Sequence, residues 1–225
     1  MRILSMRIRT SSFTLALLAA AASGLLAAAD PTLLARWTLE KGSAASSVGG
    51  VPAGQVERAK PGPGRAGAAD AALIFEDWSA RNYLKPDPKE ATRVVIPHDA
   101  KLNPRLPFRL TAWIRPTADP VFQGGIAEKG RGFGASYRLL LLRGLKVEAC
   151  LGDKHVCARS AEPLSLNAWH EVTLVAETGR VVLRVDGKES AQTPIEGALK
   201  ISSSDPLILG DRFTGAIAEV SIETD

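Results

Sequence analysis

The sequence predicts an all-β chain, an antiparallel sandwich or barrel, on three observations. Almost no 3.6-residue apolar periodicity follows Asp30. Short runs rich in Val, Ile, Leu and aromatics recur between Gly, Pro, Asp and Ser clusters. Consecutive runs also register as hairpins with apolar residues stacked on one face.

The expected strands, in order, are Leu33–Leu39, Ala72–Phe75, Arg93–Ile96, Phe108–Ile114, Tyr137–Leu142, Leu145–Leu151, Val156–Ala158, Trp169–Ala176, Val181–Val185, Leu207–Leu209 and Ala216–Ile222. Residues Gly42–Ala71, rich in Gly, Ala, Pro and Ser, read as a long surface excursion between the first two strands. No internal repeat is present.

Three hairpins can be registered. A two-residue turn at Thr178-Gly179 opposes Ala176 to Val181, Leu174 to Leu183 and Val172 to Val185, a wholly apolar face. Asp186-Gly187 is a type I′ signal and opposes Arg184 to Glu189, so Trp169–Ala176, Val181–Val185 and Lys188–Gln192 form a meander. In the third hairpin, Cys150 opposite Cys157 sets Leu151 against Val156, Ala149 against Ala158 and Glu148 against Arg159. Directly opposed Cα atoms are about 4.5 to 5.5 Å apart, within reach of a disulfide, and that bond is the expectation. The alternative is two free thiols on a tighter turn at Gly152-Asp153, with Cys150 facing His155. Seven-residue spacing without a second Cys/His pair does not suit a metal or C-x-x-C site.

The chain has 225 residues, 45% hydrophobic and 23% charged, which excludes disorder, collagen and coiled coil. Its formal charge of +4 falls to +1 once Arg2, Arg7 and Arg9 are set aside, and no basic run remains. Nucleic acid is therefore not an expected partner. Those arginines precede an apolar run, Phe13–Ala22, and Ala27-Ala28-Ala29 supplies an A-x-A cleavage pattern before Asp30. Residues 1–29 read as a signal peptide and residues 30–225 as the secreted or periplasmic domain. The apolar core is shorter than the roughly 18 residues of a span, so no membrane span is expected after signal cleavage.

Several ordered pieces carry a resemblance. They are Leu34-Ala35-Arg36-Trp37, Ala72-Leu73-Ile74-Phe75, Phe108 to Pro116, Gly125 to Gly130, Tyr137-Arg138-Leu139, Leu166 to Val172, Val185-Asp186-Gly187 and Phe213 to Val220. Together they resemble the LamG-like jelly-roll domains of the concanavalin A-like superfamily, over essentially Leu33 to Ile222. The resemblance implies one domain of two stacked antiparallel sheets, with the first and last strands neighbouring each other. In the last strand the family often carries an aspartate that helps hold calcium; here that position is Ala218, although Glu219 follows. Calcium is the one cofactor the resemblance raises, and Ala218 argues against it. Asp205, Asp211 and Glu219 are the remaining oxygen donors for such a metal, or else Asp205 and Asp211 are solvated turn residues.

The superfamily also contains glycoside hydrolases, whose retaining members need two carboxyl groups about 5 to 5.5 Å apart. On a strand, acids at i and i+2 share a face, and the sole such pair is Glu223 with Asp225. His98, His155 and His170 lie in no metal spacing, no G-x-S-x-G is present, and Gly130 to Gly134 precedes a strand rather than a phosphate-binding helix. The expected function is thus a non-catalytic module recognising a glycan or an extracellular protein. The alternatives are an assembly module of an envelope complex and a divergent polysaccharide hydrolase. Trp37, Trp113 and Trp169 read as core or sheet-face residues, which leaves Trp78, Arg81, Asn82 and Tyr83 in one loop as the candidate ligand site. In the alternative reading, Trp78 caps the sandwich edge.

Overall fold

The computed structural model describes residues 31–77, 88–130 and 132–224. The leader at 1–29 and the proposed Trp78–Tyr83 site lie outside the described residues.

The strands are β1 (Thr32–Trp37), β2 (Gln55–Glu57), β3 (Lys60–Gly62), β4 (Ala72–Phe75), β5 (Arg93–Ile96), β6 (Phe108–Pro116), β7 (Gln123–Lys129), β8 (Tyr137–Leu142), β9 (Lys146–Leu151), β10 (Val156–Arg159), β11 (His170–Glu177), β12 (Arg180–Val185), β13 (Lys188–Pro194), β14 (Leu207–Leu209) and β15 (Gly215–Thr224). They form two antiparallel sheets. One runs β13-β12-β11-β6-β15-β4-β3, with β1 also on β15, and the other runs β10-β9-β8-β7-β14-β5-β2. The fold is a β-sandwich of the jelly-roll kind.

Alternation dictates the layering. In β6 Phe108, Leu110, Ala112 and Ile114 are buried while Arg109, Thr111, Trp113 and Arg115 are half-exposed on the other side. Facing them, Tyr137, Leu139 and Leu141 of β8 and Val147, Ala149 and Leu151 of β9 close the same apolar core. Phe108 and Tyr137 meet across it, with ring centroids 5.6 Å apart and planes tilted by 60°. Each such side chain contributes roughly 1.5–3 kcal/mol by leaving water.

All three hairpin registers appear as the sequence implies. Ala176, Leu174 and Val172 oppose Val181, Leu183 and Val185. Arg184 opposes Glu189, across a bulge that begins after Leu183. Cys150 opposes Cys157, with Leu151–Val156, Ala149–Ala158 and Glu148–Arg159 alongside. The disulfide is formed, with Cα atoms 4.1 Å apart.

The expectation for Gly42–Ala71 needs correction. This stretch is no mere surface excursion, because β2 extends one sheet by pairing with β5 and β3 extends the other by pairing with β4. Its composition hides these strands because each is three residues long and at a sheet edge, where Pro61 need not donate.

β15 is the hinge of the topology. One side pairs with β6 along its length, and the other side is shared end to end by β4 and β1. Its register against β6 shifts between Ile217 and Glu219, leaving Ala218 as a bulge residue.

Candidate functional site

The bulge turns Ala218 and Glu219 toward one cleft on the outer face of the β6–β15 sheet. Small side chains make its floor. Ala72, Ala216 and Ala218 are buried there, and Ile74, Trp113 and Trp169 pack against them, an apolar cluster separate from the sandwich core. Trp113 belongs to the outward-facing parity of β6, with Glu171 opposite on one flank and Glu219 on the other. Trp169 immediately precedes β11, whose His170 opposes Ile114, and this brings Trp169 beside Arg115. The Arg115 guanidinium lies 5.4 Å from the Trp169 ring centroid.

The third wall comes from the loop between β3 and β4. Gly64 donates its N–H to Ala68 at 2.9 Å, and the N–H of Lys41 donates to the Asp70 carbonyl at 2.6 Å, which folds the loop back over the sheet. A side chain at Gly64 would lie 2.6 Å from the Ala71 Cβ, so the turn needs glycine there. Arg65, on this loop, stacks its guanidinium 4.1 Å from the Trp113 ring centroid. The cleft, of about 540 Å³, is lined by Arg65, Trp113, Trp169, Ala218, Glu219 and neighbouring residues.

Electrostatics at the mouth are set by guanidinium groups around one carboxylate. Glu219 accepts from Arg36 at 3.0 Å and lies 4.0 Å from Arg65. Hydrogen bonding to Glu219 holds the Arg36 guanidinium above its ordinary range. Two half-buried indoles on a floor of alanines, rimmed by charged and hydroxyl groups, can stack an apolar face of a ligand and hydrogen-bond its edge.

A second, smaller recess of about 220 Å³ opens on the outer face of the other sheet, lined by Gln123, Gly125, Glu128, Gly132, Arg138, Asp211 and Arg212. Arg138 donates to Glu128 at 2.8 Å with both side chains largely buried, so that carboxylate is held in an ion pair.

The three acids named as metal donors lie in three places. Asp205 accepts from the Ser203 hydroxyl at 3.2 Å, and its backbone carbonyl accepts from the fully buried Lys129. That ammonium also donates to the Ser203 carbonyl at 2.8 Å and lies 3.1 Å from His98 Nδ1. Asp211 lines the polar recess, and Glu219 is held by Arg36 on the opposite sheet. Among the described residues, the closest group of three or more His, Cys, Asp or Glu ligand atoms is Cys150, His155 and Cys157, and its two sulfurs are bonded to each other. The Ala218 side chain adds no oxygen to the strand, and the Glu219 carboxylate is paired with Arg36.

Sequence reasoning left Trp113 and Trp169 as core or sheet-face residues and did not join them with Arg65. A signal was present for Trp113, which has the opposite parity to Leu110, Ala112 and Ile114 and therefore points away from the core. Nothing in the Gly-rich segment reveals that Arg65 folds onto it.

Comparison with known proteins agrees with the fold. Residues 88–225 match the family described as the concanavalin A-like lectin/glucanases superfamily, and the chain belongs to it. No curated protein sequence matches. Among solved structures, domain 4 of AbnA, a GH43 extracellular arabinanase from Geobacillus stearothermophilus in complex with arabinotriose, superposes with TM-score 0.62 at 13% identity, covering 86% of this chain and 93% of that one. The Trypanosoma rangeli sialidase in complex with sialic acid gives 0.58 at 14% identity, covering 84% of this chain and 30% of the sialidase. The binding domain of botulinum neurotoxin DC in complex with SialylT gives 0.62 at 10% identity, covering 85% and 47%. At these identities the likeness is one of fold, and the chain spans under half of the last two. No helix among the described residues is long and apolar enough to cross a membrane.

Proposed function

We propose that this protein is a non-catalytic glycan-recognition module acting outside the cytoplasm, with its site in the Trp113–Trp169 cleft. The observation that carries this reading is the pair of half-buried indoles set on Ala72, Ala216 and Ala218 on an outer sheet face. Sugars present apolar C–H faces that stack on aromatic rings and hydroxyl edges that need planar polar partners. Arg65, Glu219 and Glu40 supply such partners at the mouth. The disulfide suits an oxidising compartment, as does the leader reading of residues 1–29. Solved structures with this fold include complexes with arabinotriose, sialic acid and SialylT.

The test is a glycan-array screen of the purified protein beside Trp113→Ala, Trp169→Ala, Trp78→Ala and Tyr83→Ala, with thermal unfolding as a fold control. Binding lost in the Trp113 and Trp169 variants, with unfolding little changed, is the expected result. Loss confined to Trp78→Ala and Tyr83→Ala would move the site to that loop. No binding to any glycan would favour a protein partner in an envelope assembly, and turnover of a polysaccharide would make the protein a hydrolase.

A further inference from the structure

In the free protein the Trp113 platform is already occupied. Arg65 lays its guanidinium on that ring at 4.1 Å from the centroid, and Glu219 steadies it from the side at 4.0 Å. Both contacts are weak and reversible, since the Arg65 side chain is 44% exposed and screened by water. A sugar ring that stacks on Trp113 takes the place of that guanidinium.

What happens to the displaced cation decides which ligands gain. A neutral sugar removes the Arg65–Trp113 stacking and offers the guanidinium only neutral hydroxyl acceptors in exchange. A sugar with its own carboxylate or sulfate recovers it, because Arg65 stays tethered at the cleft wall and its planar fork of N–H donors matches an oxyanion. The surroundings favour this exchange. Arg36, whose side chain is also 44% exposed, points to the same Glu219 carboxylate, and Arg115 lies against the adjacent Trp169. Arg65 thus lines the cleft together with Glu40 and Glu219, Arg36 and Arg115 stand against the lining residues Glu219 and Trp169, and Glu171 lies across from Trp113 on the next strand.

We infer that the cleft selects acidic glycans, with Arg65 exchanging its stacking on Trp113 for an ion pair to the ligand's anionic group. This inference rests on the glycan reading of the same cleft. Arg65 is a selectivity residue in this scheme, and Trp113 is the shared platform.

The test uses matched probes that differ in the anion alone: oligogalacturonides and their methyl esters, and sulfated and desulfated chondroitin oligosaccharides. Binding is followed by calorimetry at low and moderate salt with the wild type, Arg65→Ala, Arg65→Lys and Trp113→Ala. The acidic member of at least one pair should bind at least about fivefold more tightly, since a recovered guanidinium–oxyanion pair is a charge-assisted contact. Arg65→Ala should abolish that preference while keeping weak binding of the neutral member. Arg65→Lys should restore part of it, and Trp113→Ala should lose both. Equal binding of acidic and neutral members overturns the inference and leaves the glycan reading intact, as does an Arg65→Ala variant that binds every probe more tightly, which would make Arg65 a plain obstruction. Absence of binding to all these probes, with neutral glycans retained on the array, overturns it too. Absence of any glycan binding removes the parent reading and the inference together.

Discussion

The Tyr137 hydroxyl donates to the Leu102 carbonyl at 3.0 Å across the interior of the sandwich, and the ring is fully buried. Burial raises the phenol above its ordinary range. Because the unfolded chain ionises Tyr137 near pH 10 and the native state does not, the native state binds more protons there. The contribution is complete below about pH 10 and is lost as pH rises beyond it. Tyr137→Phe should lose about 1 kcal/mol at neutral pH through the unpaired carbonyl. Between about pH 9 and pH 11 its stability should fall less than that of the wild type. Urea unfolding across that range measures both effects, and parallel curves for the two proteins would contradict the assignment.

The Cys150–Cys157 bond closes a loop of seven-residue separation. In the chain-entropy view its removal by Cys150→Ala with Cys157→Ala costs at most about 2.5 kcal/mol. The hairpin should survive, because Arg159 still pairs with Glu148 at 2.6 Å and Ala149 still opposes Ala158. Dithiothreitol should lower the unfolding midpoint of the wild type and leave that of the double variant unmoved.

Gly215 opens β15 with φ at +148°, and a Cβ there would stand 2.3 Å from the Arg115 carbonyl oxygen. The obstacle is backbone of the neighbouring strand, which cannot rotate away. Gly215→Ala should destabilise by about 2–3 kcal/mol, at the upper part of the usual overpacking range. It should also weaken ligand binding, since Arg115 and Trp169 sit on the displaced register. A variant with wild-type stability would mean that the β15–β6 pairing yields more readily than this geometry allows.

Asp119 ties two loops together at one end of the sandwich, its Oδ1 accepting from the backbone N–H of Gly144 at 2.7 Å and of Leu145 at 3.2 Å. Asp119→Ala should cost about 1 kcal/mol, as the freed N–H groups are reached by water. Hydrogen exchange read at Gly144 and Leu145 should quicken well before the strands on either side respond.

Much of this fold was legible where neighbours in sequence are neighbours in space. The registers of β11 with β12 and of β9 with β10 follow from alternation and turn residues, because a one-residue slip would turn Val172, Leu174 and Ala149 outward. The cleft was less legible for a physical reason. Its parts come from β6, from the residue before β11, from the bulge of β15 and from the β3–β4 loop, so no local pattern contains them. Parity separates Trp113 from the core face but does not say which outer residues share a cleft. Arg65 sits in a Gly- and Ala-rich stretch, where composition records turns and conceals a stacking partner. The bulge at Ala218 shows in the sequence only as a three-residue step between the core residues Ile217 and Val220, where Val220 to Ile222 steps by two.

The position of β15 in the sheet sets an order of events. Its residues, 215–224, supply the pairing surface for β6 on one side and for both β4 and β1 on the other. A ribosome making this chain therefore delivers β1, β4 and β6 more than 90 residues before the strand that joins them, since β6 ends at Pro116 and β15 begins at Gly215. Throughout that interval the eight-stranded sheet lacks the strand that joins β6 to β4 and β1, and its native closure waits for residues 215–224.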